Sequence, residues 1–108
     1  MRMRWLGLIA TTTFLSLSSL QAADRSVDPI ISHIRREPVE SSALVAIGYS
    51  RRLHALEIEF HDGLIYRYLE VPVLAYRELM EAESKARYYN RNLRGKYRCL
   101  RVRPTRNR

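Results

Sequence analysis

Leu56-Glu57-Ile58-Glu59-Phe60-His61-Asp62-Gly63-Leu64-Ile65-Tyr66-Arg67-Tyr68 decides the fold of this chain. Apolar and acidic residues alternate up to Phe60, and a β-branched and aromatic run follows Gly63, the pattern of two antiparallel strands joined by a tight turn. The length of that turn sets where the side chains point. If Asp62-Gly63 alone is the loop, Phe60 faces Ile65, and Tyr66 and Tyr68 join Glu57 and Glu59 on the side away from Leu56, Ile58 and Phe60. If His61-Asp62-Gly63 is the loop with Gly63 left-handed, Phe60 faces Leu64, Ile58 faces Tyr66, Leu56 faces Tyr68 and Arg67 stands opposite Glu57. The second register is preferred, because opposite charges across a strand pair help by roughly 0.2–1 kcal/mol and like sides stay together. Tyr66 and Tyr68 then read first as core residues whose hydroxyls reach an edge, and second as a displayed stacking platform. Glu57 and Glu59, two apart, share a side and read as acids on a solvent face.

Working outward, residues 44–49 form a first strand with Gly48 as a bulge or close-approach site, Ser50-Arg51-Arg52 makes a hairpin connection, and residues 55–60 and 64–69 are the next two strands. Val71-Pro72 switches the chain from strand to helix, since proline is tolerated in a first helical turn. Val73, Tyr76, Leu79 and Met80 recur at helical spacing to cover the sheet, while Arg77, Glu78 and Glu81 face water. Ser84 caps a shorter helix that runs to Arg94 and ends at Gly95, and residues 96–102 return as an edge strand. The expected class is α+β: a three-stranded antiparallel β-meander packed against one or two short helices. Residues 24–38 are a lead-in in which Asp28 caps a short helix, Pro29 takes its first position, Ile30, Ile31 and Ile34 share a side, and Pro38 ends it.

Residues 1–23 read as a signal peptide. Arg2 and Arg4 precede an uncharged apolar and hydroxyl stretch from Trp5 to Leu20, and Ala22-Ala23 offers the small residue that cleavage needs. The apolar part is short beside the roughly 20 residues of a bilayer-spanning helix. Export with cleavage, and so a periplasmic or secreted protein with no membrane span after processing, is the expectation; a retained N-terminal anchor is the alternative. Residues 24–108 then bound the answer to one domain with a modest core. With a single cysteine, Cys99, there can be no internal disulfide, and its place in a strand suggests a small packing residue.

Charge is unevenly spread. Residues 24–86 hold eleven acids and eight bases, whereas residues 87–108 hold nine bases and no acid. Those bases are interleaved with Tyr88, Tyr89 and Tyr97, and phosphate contact plus base stacking requires that combination. A solvated face that keeps a small protein soluble answers the same composition. The partners it points to are nucleic acid or another polyanion, with an envelope protein as the alternative. Catalysis finds little support. His33, His54 and His61 have no neighbouring nucleophile motif, there is no glycine-rich phosphate loop, and His54 with His61 lacks a further metal ligand. The histidines read as surface or turn residues, and no catalytic residue, metal or cofactor is expected.

The order of Ser41-Ser42, Ile47-Gly48-Tyr49, Leu56 to Phe60 with Gly63, Tyr66 and Tyr68, Val71-Pro72, Ser84, Tyr89-Asn90, and Arg94-Gly95 with Tyr97 resembles the KTSC domain. This module of about sixty residues is seen at the C-terminus of some lysyl-tRNA synthetases and as a stand-alone bacterial protein. The likeness spans residues 39–102, leaving residues 103–108 as a basic tail. Ser50 stands where the pattern often has an acid, and Ala86 where it has a glycine, so a tight backbone approach at 86 is not implied. The resemblance implies RNA binding as the family's proposed role and carries no catalytic residues. The positions it and the charge block single out for nucleic-acid or polyanion binding are Tyr66, Tyr68, Arg87, Tyr89, Asn90, Arg91, Arg94, Lys96, Tyr97 and Arg98.

Overall fold

The computed structural model describes residues 28–104, so the expected leader, the first residues of the expected lead-in and the last four residues of the chain lie outside the described residues. Five antiparallel strands pair in sequence order: β1 (Glu37–Pro38), β2 (Leu44–Ser50), β3 (Ala55–Phe60), β4 (Ile65–Tyr68) and β5 (Cys99–Arg101). Between the last two come α1 (Val73–Glu81), α2 (Lys85–Tyr88) and a π-helical turn (Tyr89–Leu93). The three-stranded meander is therefore the centre of a wider sheet, with a strand added on each edge.

The decisive hairpin has the three-residue turn. Phe60 N–H donates to the Leu64 carbonyl at 2.9 Å and Gly63 N–H to the Phe60 carbonyl at 2.9 Å, with Gly63 at φ 92°. Leu56 pairs with Tyr68, Glu57 with Arg67 and Ile58 with Tyr66. At the tip Asp62 makes an Asx turn, its Oδ1 accepting from Leu64 N–H at 2.9 Å. The preceding hairpin is longer than expected: Ser50 pairs with Ala55, and His54 closes the turn in a left-handed conformation at φ 54°.

One face of the sheet carries the core. Leu44, Ile47, Leu56, Ile58 and Tyr68 meet Val71, Ala75, Leu79 and Leu93 from the helical layer. Pro72 is the N-cap of α1 rather than a residue inside it. Ser84 caps α2 by accepting the Arg87 N–H, and Gly95 takes φ 74° beyond the π turn. In that turn Arg94 N–H reaches back to the Tyr89 carbonyl at 2.8 Å, a span of five residues.

The opposite face departs most from expectation. Residues 28–38 form no helix; they run extended across this face as a strap. Ile30 makes a parallel bridge to Val102 at the β5 edge, and Glu37 and Pro38 pair with Ile47 and Ala46 at the β2 edge. Burial along the strap alternates strictly, with Ile30, Ser32, Ile34 and Arg36 turned inward and Ile31, His33, Arg35 and Glu37 exposed. Pro38 does not end a helix but sits in an edge strand. Because Val39 N–H donates to the Val45 carbonyl, alternation leaves Pro38 at a pair where no ladder N–H is needed. Gly48 is a close-approach site: a Cβ there would lie 2.3 Å from the Arg35 carbonyl oxygen, while the sheet's irregularity lies at Leu44/Ala46.

Candidate polyanion-binding face

The strap changes what the acids on β3 do. Glu57 is completely buried, not solvent-facing. Its Oε1 accepts from Arg36 Nη1 at 2.8 Å and its Oε2 from Arg67 Nε at 2.8 Å, and Arg67 Nη2 continues to Ser32 Oγ at 3.2 Å. Arg36 Nε, also buried, lies 3.6 Å from Glu59 Oε1 and makes no hydrogen bond. Among the described residues, every ion pair belongs to this cluster.

That distribution isolates the C-terminal cations. Arg87, Arg91, Arg94, Lys96 and Arg98 are all exposed, and none has an acid within ion-pair distance. Arg94 Nη1 donates to Asn90 Oδ1 at 3.3 Å, which ties the two ends of the π turn together on its outer side. The same turn sends Leu93 into the core and the Tyr89 ring beneath the sheet, so Asn90, Arg91 and Asn92 are left facing water.

The tyrosines divide. Tyr68 is 3% exposed, and its hydroxyl meets that of Tyr89 at 2.7 Å. Burial, then the Tyr89 hydrogen bond, pushes the Tyr68 phenol well above its ordinary range. Phe60 sits edge-on to Tyr89 at 5.2 Å and to Tyr66 at 6.3 Å between centroids. Tyr68 is thus a core residue with no face to offer a base, and Tyr89 and Tyr97 are half-buried against the same core. Tyr66 is half-buried with Arg101 over its ring at 6.0 Å, the arrangement closest to a displayed platform. Tyr88, outside the candidate set, donates to Glu78 Oε1 at 2.7 Å; burial and this bond push its phenol up to about 12. Cys99 is exposed on β5 rather than a packing residue.

Sequence reasoning missed Phe60 and Arg101 as members of the tyrosine cluster, although the β4–β5 pairing that puts Arg101 opposite Tyr66 follows once residues 96–102 are taken as a strand. It also missed Arg36. Among the described residues there is no cluster of three potential metal ligands, and no helix long and apolar enough to cross a membrane.

The KTSC domain family model matches residues 40–97. A protein of Stutzerimonas stutzeri is 39% identical over 57 residues, 53% of this chain and 80% of its own length. A lysine–tRNA ligase of Nostoc punctiforme is 32% identical over 59 residues, 55% of this chain but only 10% of the ligase. The crystal structure of a KTSC domain protein from Yersinia pestis superposes with a TM-score of 0.62 at 38% identity, covering 65% of this chain and 99% of that one. With the family model matching more than half of its length and the fold in agreement with a solved member, the chain belongs to the KTSC domain family.

Proposed function

We propose that this protein is an exported, non-catalytic binding module that engages a polyanion, such as RNA, through the exposed cations of residues 87–103. The observation that carries the reading is that these cations are left without acidic partners while the interior acid Glu57 takes two guanidinium groups for itself. Cations held on a short helix, a π turn and an edge strand are pre-positioned for phosphate contact, and such contact is tolerant of sequence. Tyr66 with Arg101 offers one stacking surface; Tyr68 stabilises the frame beneath it. The occurrence of the module within proteins named lysine–tRNA ligases is consistent with an RNA ligand. The leader read at residues 1–23 supports the periplasm or the outside of the cell as the compartment.

Fluorescence anisotropy with a labelled single-stranded oligonucleotide tests the binding. The wild type should bind at low salt, and replacing Arg91, Arg94, Lys96 and Arg98 by Ser should remove most of that affinity with an unchanged melting temperature, since surface charges contribute little to stability. No binding at low salt would sink the polyanion reading and leave an envelope-protein interaction module in its place.

A further inference from the structure

The strap does more than bury Glu57, for it also builds one wall of an open cleft of about 540 Å³ at the β2 edge. Ile31, Ile34 and Arg35 come from the strap, Gly48 and Tyr49 from β2, and Arg52 and Leu53 from the turn that follows. The strap residues precede residues 40–97, the part of the chain that the family model matches. Its volume lies in the range of small-ligand sites, roughly 300–1,000 Å³.

The chemistry of the lining is specific. Arg35 and Arg52 are exposed and make no ion pair, and one acid, Glu37, shares the cleft with them. Arg67 reaches the cleft from β4 while its Nε and Nη2 are engaged by Glu57 and Ser32. Beside the cations is an apolar surface. Ile31 is 66% and Leu53 44% exposed, which makes them two of the three large hydrophobic residues left in water among the described residues. Tyr49 and Tyr76 stack at 4.9 Å between centroids with 12° between their planes, and the Tyr49 hydroxyl is fixed by donating to the Val71 carbonyl at 2.6 Å. A rigid aromatic wall, two uncommitted guanidinium groups and exposed aliphatic side chains in one concavity suit a molecule with an anionic head and an apolar or aromatic body.

We infer that this cleft is a binding site for a small ligand of that kind, a carboxylate or phosphate attached to an apolar body, separate from the C-terminal cationic face. Arg35 and Arg52 would hold the head, while Tyr49, Tyr76, Ile31 and Leu53 would take the body. The site stands or falls independently of the polyanion reading, because the two use different residues.

Amide chemical-shift titration of the whole chain decides it, with phenyl phosphate, N-acetylphenylalanine, the uncharged N-acetylphenylalanine amide and inorganic phosphate as probes. Saturable shifts centred on Gly48, Tyr49 and Leu53 are expected with the first two, and their relative strength says whether the head is a phosphate or a carboxylate. The amide and bare phosphate should each bind at least about tenfold more weakly, the loss expected when one charged contact or the apolar body is missing. Arg35→Ser and Arg52→Ser should each weaken phenyl phosphate about tenfold while the oligonucleotide affinity changes far less. Leu53→Ser, at an exposed position, serves where a strap variant loosens the fold. Equal binding of acid and amide, shifts centred on residues 91–98, or shifts that never saturate would overturn the assignment.

Discussion

Glu57 is where a single side chain governs the architecture. A carboxylate removed from water costs several kcal/mol unless it is paired and its lone pairs are filled, and here one guanidinium meets each oxygen. Truncating it would leave Arg67 without a counter-ion and Arg36 with only the 3.6 Å contact to Glu59, both arginines being largely buried. Glu57→Ala should therefore cost about 3–5 kcal/mol in urea unfolding, several times more than Glu40→Ala at an exposed position of the same protein. A cost below about 1 kcal/mol would mean that the strap's hydrogen bonds, not the ion cluster, hold it down. The tyrosines add a pH dependence of definite sign. Burial raises the Tyr68 phenol, and burial with the Glu78 bond raises Tyr88 to about 12, from an ordinary value of 10.0. Because the fold favours the protonated phenols, their contribution is complete below pH 10; that of Tyr88 is lost as pH rises through about 12, and that of Tyr68 declines in the same direction. The urea midpoint should fall steeply over that window, and Tyr68→Phe should flatten the fall. A midpoint independent of pH above 10 would contradict the buried phenol pair.

Among the elements, the strap is the one that local sequence signals mislead about. Asp28-Pro29 resembles a helix start and Ile30, Ile31 and Ile34 resemble a helical stripe, yet the segment is extended because both sheet edges and Glu57 offer it partners that a free helix would lack. Its period of two is hidden in composition, since the inward residues include Ser32 and Arg36 while Ile31 points out. The hairpin from Ala55 to Tyr68 was legible for the opposite reason. There the apolar side chains are the buried ones, and charge pairing of Glu57 with Arg67 picks one register over the other. The burial of that pair was not legible, because it depends on a segment more than twenty residues away in sequence. The candidate site was legible as a charge block, but which tyrosines are available was not, since that depends on how the π turn packs Tyr89 against Phe60 and Tyr68. The strap's seat can be tested at Gly48. Adding one methyl there, 2.3 Å from the Arg35 carbonyl, forces the strap or β2 to move, so Gly48→Ala should cost roughly 1–3 kcal/mol as overpacking does. In hydrogen exchange the amides of Ile30 and Arg103, which bridge strap and β5, should lose protection before those of β3. Unchanged exchange at Ile30 would show that the strap is not seated as a unit.

At the scale of the whole molecule, acids and bases are sorted by depth as well as by sequence. Glu57 lies inside with its two arginines, while the cations of residues 87–103 remain outside with no acid beside them. Such a surface sets up a local potential whose reach is about one Debye length, so its binding must weaken with salt in proportion to the phosphates contacted. If about five phosphates are engaged, the single-strand slope of about 0.7 per contact gives a fall of roughly a hundredfold in affinity between 50 and 200 mM salt. The four-fold serine variant at Arg91, Arg94, Lys96 and Arg98 should lower the slope as well as the affinity, because it removes contacts instead of distorting them. Tyr66→Ala should leave the slope unchanged and reduce affinity at every salt concentration, since stacking is not a counter-ion effect. Titrations of oligonucleotide binding at several salt concentrations separate the two contributions. A slope near zero for the wild type would show that the cations are no more than a solvated surface.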